Sequence, residues 1–95
     1  MDETTEQLNE ARDSMDAVLA LASALLLSGT PVEQVHEGYV TPALDLLLEA
    51  EAQALLAARG EQGAYRALER LAAQLKRLRQ DARSELGRYP RDPET

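Results

Sequence analysis

The chain has 95 residues and a net charge of −7, and 44% of its residues are hydrophobic. This length suits one small domain, and an apolar fraction close to the globular average argues against wholesale disorder. The lack of cysteine excludes a disulfide framework, thiolate chemistry and cysteine-ligated zinc. Nucleic acids and anionic membranes repel an acidic protein, so we expect direct binding to neither.

Leucine and alanine dominate the apolar residues, whereas phenylalanine, tryptophan and isoleucine are absent. Because leucine and alanine favour helices and the residues that favour strands are scarce, the composition predicts an all-α fold. The longest apolar run, Ala17–Leu27, is far shorter than the roughly 20 residues that span a bilayer. The opening segment is acidic, unlike a secretory signal. We therefore expect a cytoplasmic protein without a membrane segment.

The first helix is predicted to begin near Thr4 or Thr5, where Gln7 completes a capping box. It should end at Ser28-Gly29, since glycine commonly follows the last helical residue. Between these ends, apolar residues recur every three or four positions and predict a face that packs on a core. These residues are Leu8, Ala11, Met15, Val18, Ala22 and Leu25, and Leu19 and Leu26 are expected to widen the same face.

Two Thr-Pro pairs, Thr30-Pro31 and Thr41-Pro42, have the pattern of a helix start. Gly38 lies between them, so we predict that the middle layer is broken into a short helix and a longer one. Gly60 and Gly63 favour a break before the last helix, because each glycine costs about 1 kcal/mol inside a helix relative to alanine. The longer middle helix is expected to pack through Leu44, Leu47, Leu48, Leu55 and Ala58.

The last helix has the most regular apolar repeat and should end at Gly87. Short loops make neighbouring helices antiparallel, so the sequence predicts an up-down bundle of three layers. Residues 1–87 would form a single domain, and residues 88–95 a disordered tail. The repeat consists of Ala64, Leu68, Leu71, Leu75, Leu78, Ala82 and Leu86.

A second seam of mostly small residues lies on the far side of the first helix. In a three-layer monomer this seam would face water unless the last helix wraps far enough round to cover it, whereas the same seam of a second chain would bury it. Twofold pairing through a self-complementary patch is the commonest form of homo-oligomer. The sequence therefore predicts a homodimer through Ala17, Ala20, Ala24 and Leu27.

Two charged residues, Glu51 and Arg79, occupy positions where the helical period requires apolar side chains. A buried charge needs a partner, so we expect ion pairs that set the register of the helices. Arg12 and Arg70 are the candidate partners of Glu51. A functional polar pocket with Glu51 as base or ligand is the alternative, as is exposure at a helix edge. Arg79 should lie near the Gly38–Asp45 bend, beside Glu37 or Asp45.

The single histidine, His36, lies three residues after Glu33, a spacing that metal-binding helix bundles use in two copies. Only one copy is present, so we expect an ordinary surface histidine and no metal or other cofactor. His36-Glu37 and Thr41-Pro42 together resemble the phospho-accepting box of sensor histidine kinases, which would imply phosphorylation of His36. Three residues separate the two pairs here, instead of that family's two.

The segment Ser28–Leu44 resembles the helical cap of cobalamin-binding modules, where a glycine turn precedes a helix and then Pro-Ala-Leu. That resemblance implies a way of packing helices. The Glu-His pair and tryptophan with which those modules cover the cofactor are missing, so it implies no cobalamin site.

The sequence assembles no catalytic triad, phosphate-binding glycine loop or paired-carboxylate cleft, so an enzyme is not expected. It favours a protein-interaction module, of the assembly, adaptor or regulatory kind, that acts as a homodimer and binds an unidentified protein. The alternative is a small acidic antagonist. Its negative first half, with eleven acidic residues and one basic residue in positions 1–58, would occupy a basic nucleic-acid-binding site on a target protein.

Overall fold

The computed structural model describes residues 2–88, and every regular element in that range is helical. The prediction of an all-α fold is therefore confirmed. The elements are α1 (Glu3–Leu27), α2 (Val32–Val35), a π-helical segment (His36–Val40), α3 (Thr41–Ala58) and α4 (Ala64–Gly87).

Helix α1 begins earlier than the sequence pattern indicates. Asp2 is the N-cap residue, and its carboxylate accepts a hydrogen bond of 2.7 Å from the backbone N–H of Thr5. This bond lowers the pKa of Asp2 below its ordinary value. Thr4 and Thr5 therefore lie inside the helix, and the prediction of a threonine cap is wrong. The physical reason is that an aspartate cap also places a negative charge at the positive end of the helix dipole.

The break predicted at Gly38 is also wrong, because the chain is helical without interruption from Val32 to Ala58. The π-helical segment carries the chain through Gly38, and the backbone N–H of Thr41 donates to the carbonyl of His36. A proline inside a regular helix clashes with the carbonyl four residues earlier. The wider π turn directly before Pro42 relieves that clash, so the helix continues through the glycine and the proline.

A true break occurs between α3 and α4. Gly60 and Gly63 have φ angles of +86° and +87°, in the left-handed region that other residues rarely enter. Gly60 ends the last turn of α3, and Gly63 is the N-cap of α4. The two glycines thus reverse the chain within a few residues.

Contacts at both ends of the molecule fix the helix directions. Val35 packs against Leu25, while Arg12 near the start of α1 pairs with Glu51 late in α3, so these helices are antiparallel. Tyr65 at the start of α4 borders the same surface depression as Glu3 and Thr4 at the start of α1, and Leu86 at the end of α4 packs near Leu25, so α1 and α4 run parallel. This is the direction pattern of an up-down-up bundle.

The predicted core faces of α1 and α4 largely agree with the structure, although Leu19 and Leu26, expected on the core face of α1, are 43% and 41% exposed. The predicted core face of α3 does not agree. Helix α3 buries Ala43, Ala50 and Ala54 and leaves Leu44, Leu48 and Leu55 exposed, while Leu47 is half-buried. Alanines let α3 approach its neighbours closely, which places the longer leucines outside the contact. The buried apolar residues of the other two long helices are Ala11, Met15, Val18, Ala22, Leu25, Ala64, Leu68, Leu71, Ala72, Leu75 and Ala82.

Within the described range, no helix is both long enough and apolar enough to cross a membrane. Arg88 caps α4, and its guanidinium forms an ion pair with Glu85 at 3.1 Å. The rest of the predicted disordered tail, residues 89–95, lies outside the described residues.

Candidate protein-docking surface

Large apolar side chains remain exposed along one side of α1 and one side of α3. Their exposed fractions run from 41% at Leu26 to 66% at Leu55. We call this surface the leucine face, and it consists of Leu19 and Leu26 on α1 with Leu44, Leu48 and Leu55 on α3.

The ion pair between Arg12 and Glu51 shows that the two leucine rows border one groove. Leu19 lies seven residues after Arg12 and therefore on the same side of α1. Leu44 lies seven residues before Glu51 and on the same side of α3. Because the helices are antiparallel, the two leucines come to the same level, about 10 Å along the groove from the ion pair. Leu48 and Leu55 lie one turn to either side of Glu51.

Arg12 and Glu51 form a bridge across the middle of this groove. The Nε of Arg12 donates to a carboxylate oxygen of Glu51 at 3.2 Å. Their side chains are 52% and 42% exposed, so the pair is not buried as the helical period suggests. The other candidate partner, Arg70, lies exposed on α4 beside Ala73 and Gln74.

The groove opens into a pocket of about 290 Å³ at the end that carries Leu55. Arg12 and Glu51 border the pocket on one side, and its apolar part lies between the first turns of α1 and the last turns of α3. The lining includes Thr5, Leu8, Ala54, Leu55 and Ala58. An apolar side chain inserted here would meet two helices at once.

Carboxylates border the leucine face on both helices. Asp16 lies between Arg12 and Leu19 at helical spacings of four and three, on the same side of α1. On α3, Asp45 is three residues before Leu48, and Glu49 follows Leu48 directly; all three of these acids are exposed. The face therefore has an apolar centre and an acidic rim.

Arg79 does not lie beside Glu37 or Asp45 as expected. It borders a small surface depression of about 170 Å³ between α1 and α4, with Glu10, Asp13, Ser14 and Lys76. The Arg79 Nε is buried there without a hydrogen-bond partner among the described residues. The helical period located Arg79 near the core correctly but not the neighbouring helix.

His36 is exposed at the start of the π-helical segment. Within residues 2–88, no three side chains of the histidine, aspartate or glutamate type come close enough together to hold a metal ion. The one extra residue between His36-Glu37 and Thr41-Pro42 falls within the π turn, which is how a helix accommodates a single inserted residue. Within residues 2–88, the surroundings of His36 therefore add no support to the resemblance to sensor histidine kinases or to that with cobalamin-binding modules.

The small-residue seam on α1 is only partly open. Ala20 is exposed and Leu27 is 87% exposed, whereas Ala17 and Ala24 are half-buried. The seam has one exposed leucine, whereas the leucine face has five.

The leucine face was missed in the sequence because Leu19 and Leu26 border the core stripe of α1, and because α3 carries two apolar rows, one of alanines and one of leucines. Leucine is the more common core residue, so the pattern favours burying the wrong row. The available signal was Glu51, a charge within the leucine row, which fits an exposed row better than a buried one.

Comparison with known proteins adds no assignment: no protein-family model, no curated protein and no solved structure matches this chain.

Proposed function

We propose that this protein is a non-enzymatic protein-interaction module, of the assembly, adaptor or regulatory kind, that binds its partner through the leucine face. The observation that carries the proposal is the placement of side chains on α3, where the core contains alanines while Leu44, Leu48 and Leu55 are exposed. Contiguous exposed apolar surface with a polar rim is typical of protein-binding sites.

The physical advantage of docking here is direct. Full burial of an exposed leucine contributes about 1.5–3 kcal/mol, and the half-exposed leucines of this face still have part of that to gain. Their backbone is already helical, so docking has to order only the side chains. Three long helices also leave the fourth position of a four-helix bundle open, and a partner helix laid along α1 and α3 would fill it.

Self-association belongs to the same proposal, through a different surface. The seam of Ala17, Ala20, Ala24 and Leu27 would pair two copies on the outer side of α1, leaving the leucine face open for the protein partner. Exposed Leu27 and Ala20 support this arrangement, while the half-burial of Ala17 and Ala24 limits the area available.

Site-directed photo-crosslinking in the native cells tests both surfaces together. Photo-reactive benzoylphenylalanine replaces Leu48 on the leucine face, Ala20 on the seam, or Ala73 on the exposed side of α4 as the matched control. We expect position 48 to give an adduct with another protein, position 20 to give a covalent dimer of this chain, and position 73 to give neither. Equal adducts from positions 48 and 73, or none from 48, would refute docking through the leucine face.

The acidic-antagonist function is a second candidate, favoured by the uneven charge. Helix α1 has five acidic residues and one basic residue, and α3 has three acidic residues and no basic one. An antagonist would occupy the nucleic-acid site of its target, so nucleic acid added before irradiation should suppress the crosslink from position 48. If nucleic acid does not affect binding, the antagonist function is excluded and the adaptor function is the remaining candidate.

A further inference from the structure

The two helices that carry the leucine face are the acidic part of the molecule. Eight carboxylates and a single guanidinium lie on α1 and α3, and that guanidinium, on Arg12, is already paired with Glu51. Asp16, Asp45 and Glu49 lie beside the leucines and are exposed. Any occupant of the groove therefore has to satisfy or tolerate a negative rim.

A second copy of this chain meets that requirement poorly. Twofold pairing through the leucine face would bring two acidic rims together, and like charges across an interface cost binding energy. The exposed basic residues of a second copy lie mainly on α4, whose leucines Leu68, Leu71 and Leu75 are already buried in its own core. No single face of the described chain offers both the apolar row and the positive charge that the groove requires.

Helix α4 shows within the molecule which chemistry suits α1 and α3. It has six basic and three acidic residues and packs a leucine row against both helices. Its Lys76 and Arg79 lie beside Glu10 and Asp13 of α1. The groove that bears the leucine face is formed by the same two helices and is again apolar with an acidic rim.

We propose that the occupant of the leucine face is a basic amphipathic helix of another protein, with leucine-like residues on one side and Lys or Arg flanking them. This inference rests on the proposed docking function and names the chemistry of its partner. A ligand of about 18 residues would match the length of α3, roughly 27 Å at 1.5 Å per residue. Its apolar row would lie between the α1 and α3 leucines, and its cations would face Asp16, Asp45 and Glu49.

Three synthetic peptides of about 18 residues probe this chemistry with the wild-type protein. The first has leucine at positions i, i+3 and i+4 of each seven-residue repeat, which places the leucines on one face of the helix, and lysine at the other positions. The second replaces every lysine with glutamate, and the third permutes the first so that its leucines no longer share a face. Titration calorimetry measures their affinities at low and high salt. We expect at least about a tenfold preference for the first peptide at low salt, weakening at 1 M salt as the charges are screened.

Two pairs of variants locate the binding. The double change Leu48→Gln and Leu55→Gln should abolish binding of the Leu/Lys peptide, whereas Val32→Gln, at another exposed apolar residue, should not. Reversal of two rim charges, Asp45→Lys with Glu49→Lys, should weaken binding several-fold at low salt. The same change in net charge on α4, Glu69→Lys with Asp81→Lys, should have a much smaller effect.

Each other outcome overturns the inference in a recognisable way. Equal binding of the Leu/Lys and Leu/Glu peptides would mean that the acidic rim selects nothing, although docking through the leucines would stand. If the charge reversals on the rim and on α4 weaken peptide binding equally, the effect reflects net charge and not the position of the rim. If no peptide binds and Leu48→Glu converts a wild-type dimer to a monomer, the occupant is a second copy. If no peptide binds and the wild type is monomeric at high micromolar concentration, the proposed docking function fails as well.

Discussion

At the scale of single residues, the Arg12–Glu51 ion pair ties the two walls of the groove together while both side chains remain about half exposed. Exposed ion pairs of this kind contribute little, because water and salt screen them. A buried pair would be different, since removal of one partner typically costs about 3–5 kcal/mol. The coupling free energy between the two side chains will therefore show whether the groove is open.

The prediction is tested by a double-mutant cycle with Glu51→Gln and Arg12→Met. We expect each single change to be mild and the coupling free energy in chemical denaturation to stay below about 1 kcal/mol. A coupling of several kcal/mol would show that the pair is desolvated, and hence that the groove is closed in solution.

Asp2 gives a second prediction, on pH. The hydrogen bond from the Thr5 N–H lowers the pKa of Asp2 below its ordinary value of 3.8. Its contribution to stability is therefore fully present above pH 3.8 and is lost as the pH falls through the lower folded-state pKa. Asp2→Asn keeps a capping oxygen that does not titrate, so the stability advantage of the wild type over this variant should shrink as the pH falls from about 5 to 2. Denaturant unfolding across that range measures the advantage, and an advantage independent of pH would contradict the assignment.

At the scale of elements, the π-helical segment and the turn at residues 59–63 use glycine for opposite reasons. Gly38 is helical, and a Cβ atom there would meet nothing within 4 Å. Gly63 also has open space, but its φ angle of +87° strains any residue that has a Cβ atom.

Alanine substitution should therefore act in opposite directions at the two positions. Gly38→Ala should raise the free energy of unfolding by up to about 1 kcal/mol, because alanine has the better helix propensity. Gly63→Ala should lower it by about 1–2 kcal/mol, the cost of a left-handed conformation for an L-residue. Thermal and chemical unfolding measure both variants. A destabilising Gly38→Ala would show that the segment needs glycine, as the sequence first indicates.

The sequence predicts a helix correctly where its apolar and charged residues all indicate the same buried face. Helix α4 has one apolar row and charges elsewhere, so only one burial pattern is consistent with it. Helix α3 is apolar on several sides, and local periodicity cannot decide whether Ala50 or Leu48 faces inward. That choice depends on how closely α3 approaches α1 and α4, which is a property of the whole bundle. The π turn at Gly38 depends on the same packing, because Val35 and Tyr39 hold both sides of it in the core.

At the scale of the whole molecule, the three long helices form a core on one side of the α1–α3 pair and leave the other side apolar and open. The fold is complete without the leucine face, since the buried residues of α3 are Ala43, Ala50 and Ala54. The residues that hold the protein together are therefore distinct from those that we propose bind a partner.

The free energy of unfolding of the double variant Leu48→Gln, Leu55→Gln tests this separation most directly, with Leu68→Ala as the core control. The protein is kept dilute and free of any partner. We expect the double change to cost less than the single core change, because the two side chains are 60% and 66% exposed whereas Leu68 is fully buried. Leu68→Ala should cost about 2–5 kcal/mol. A loss from the double variant as large as that of Leu68→Ala would place these leucines in the core and contradict the docking surface.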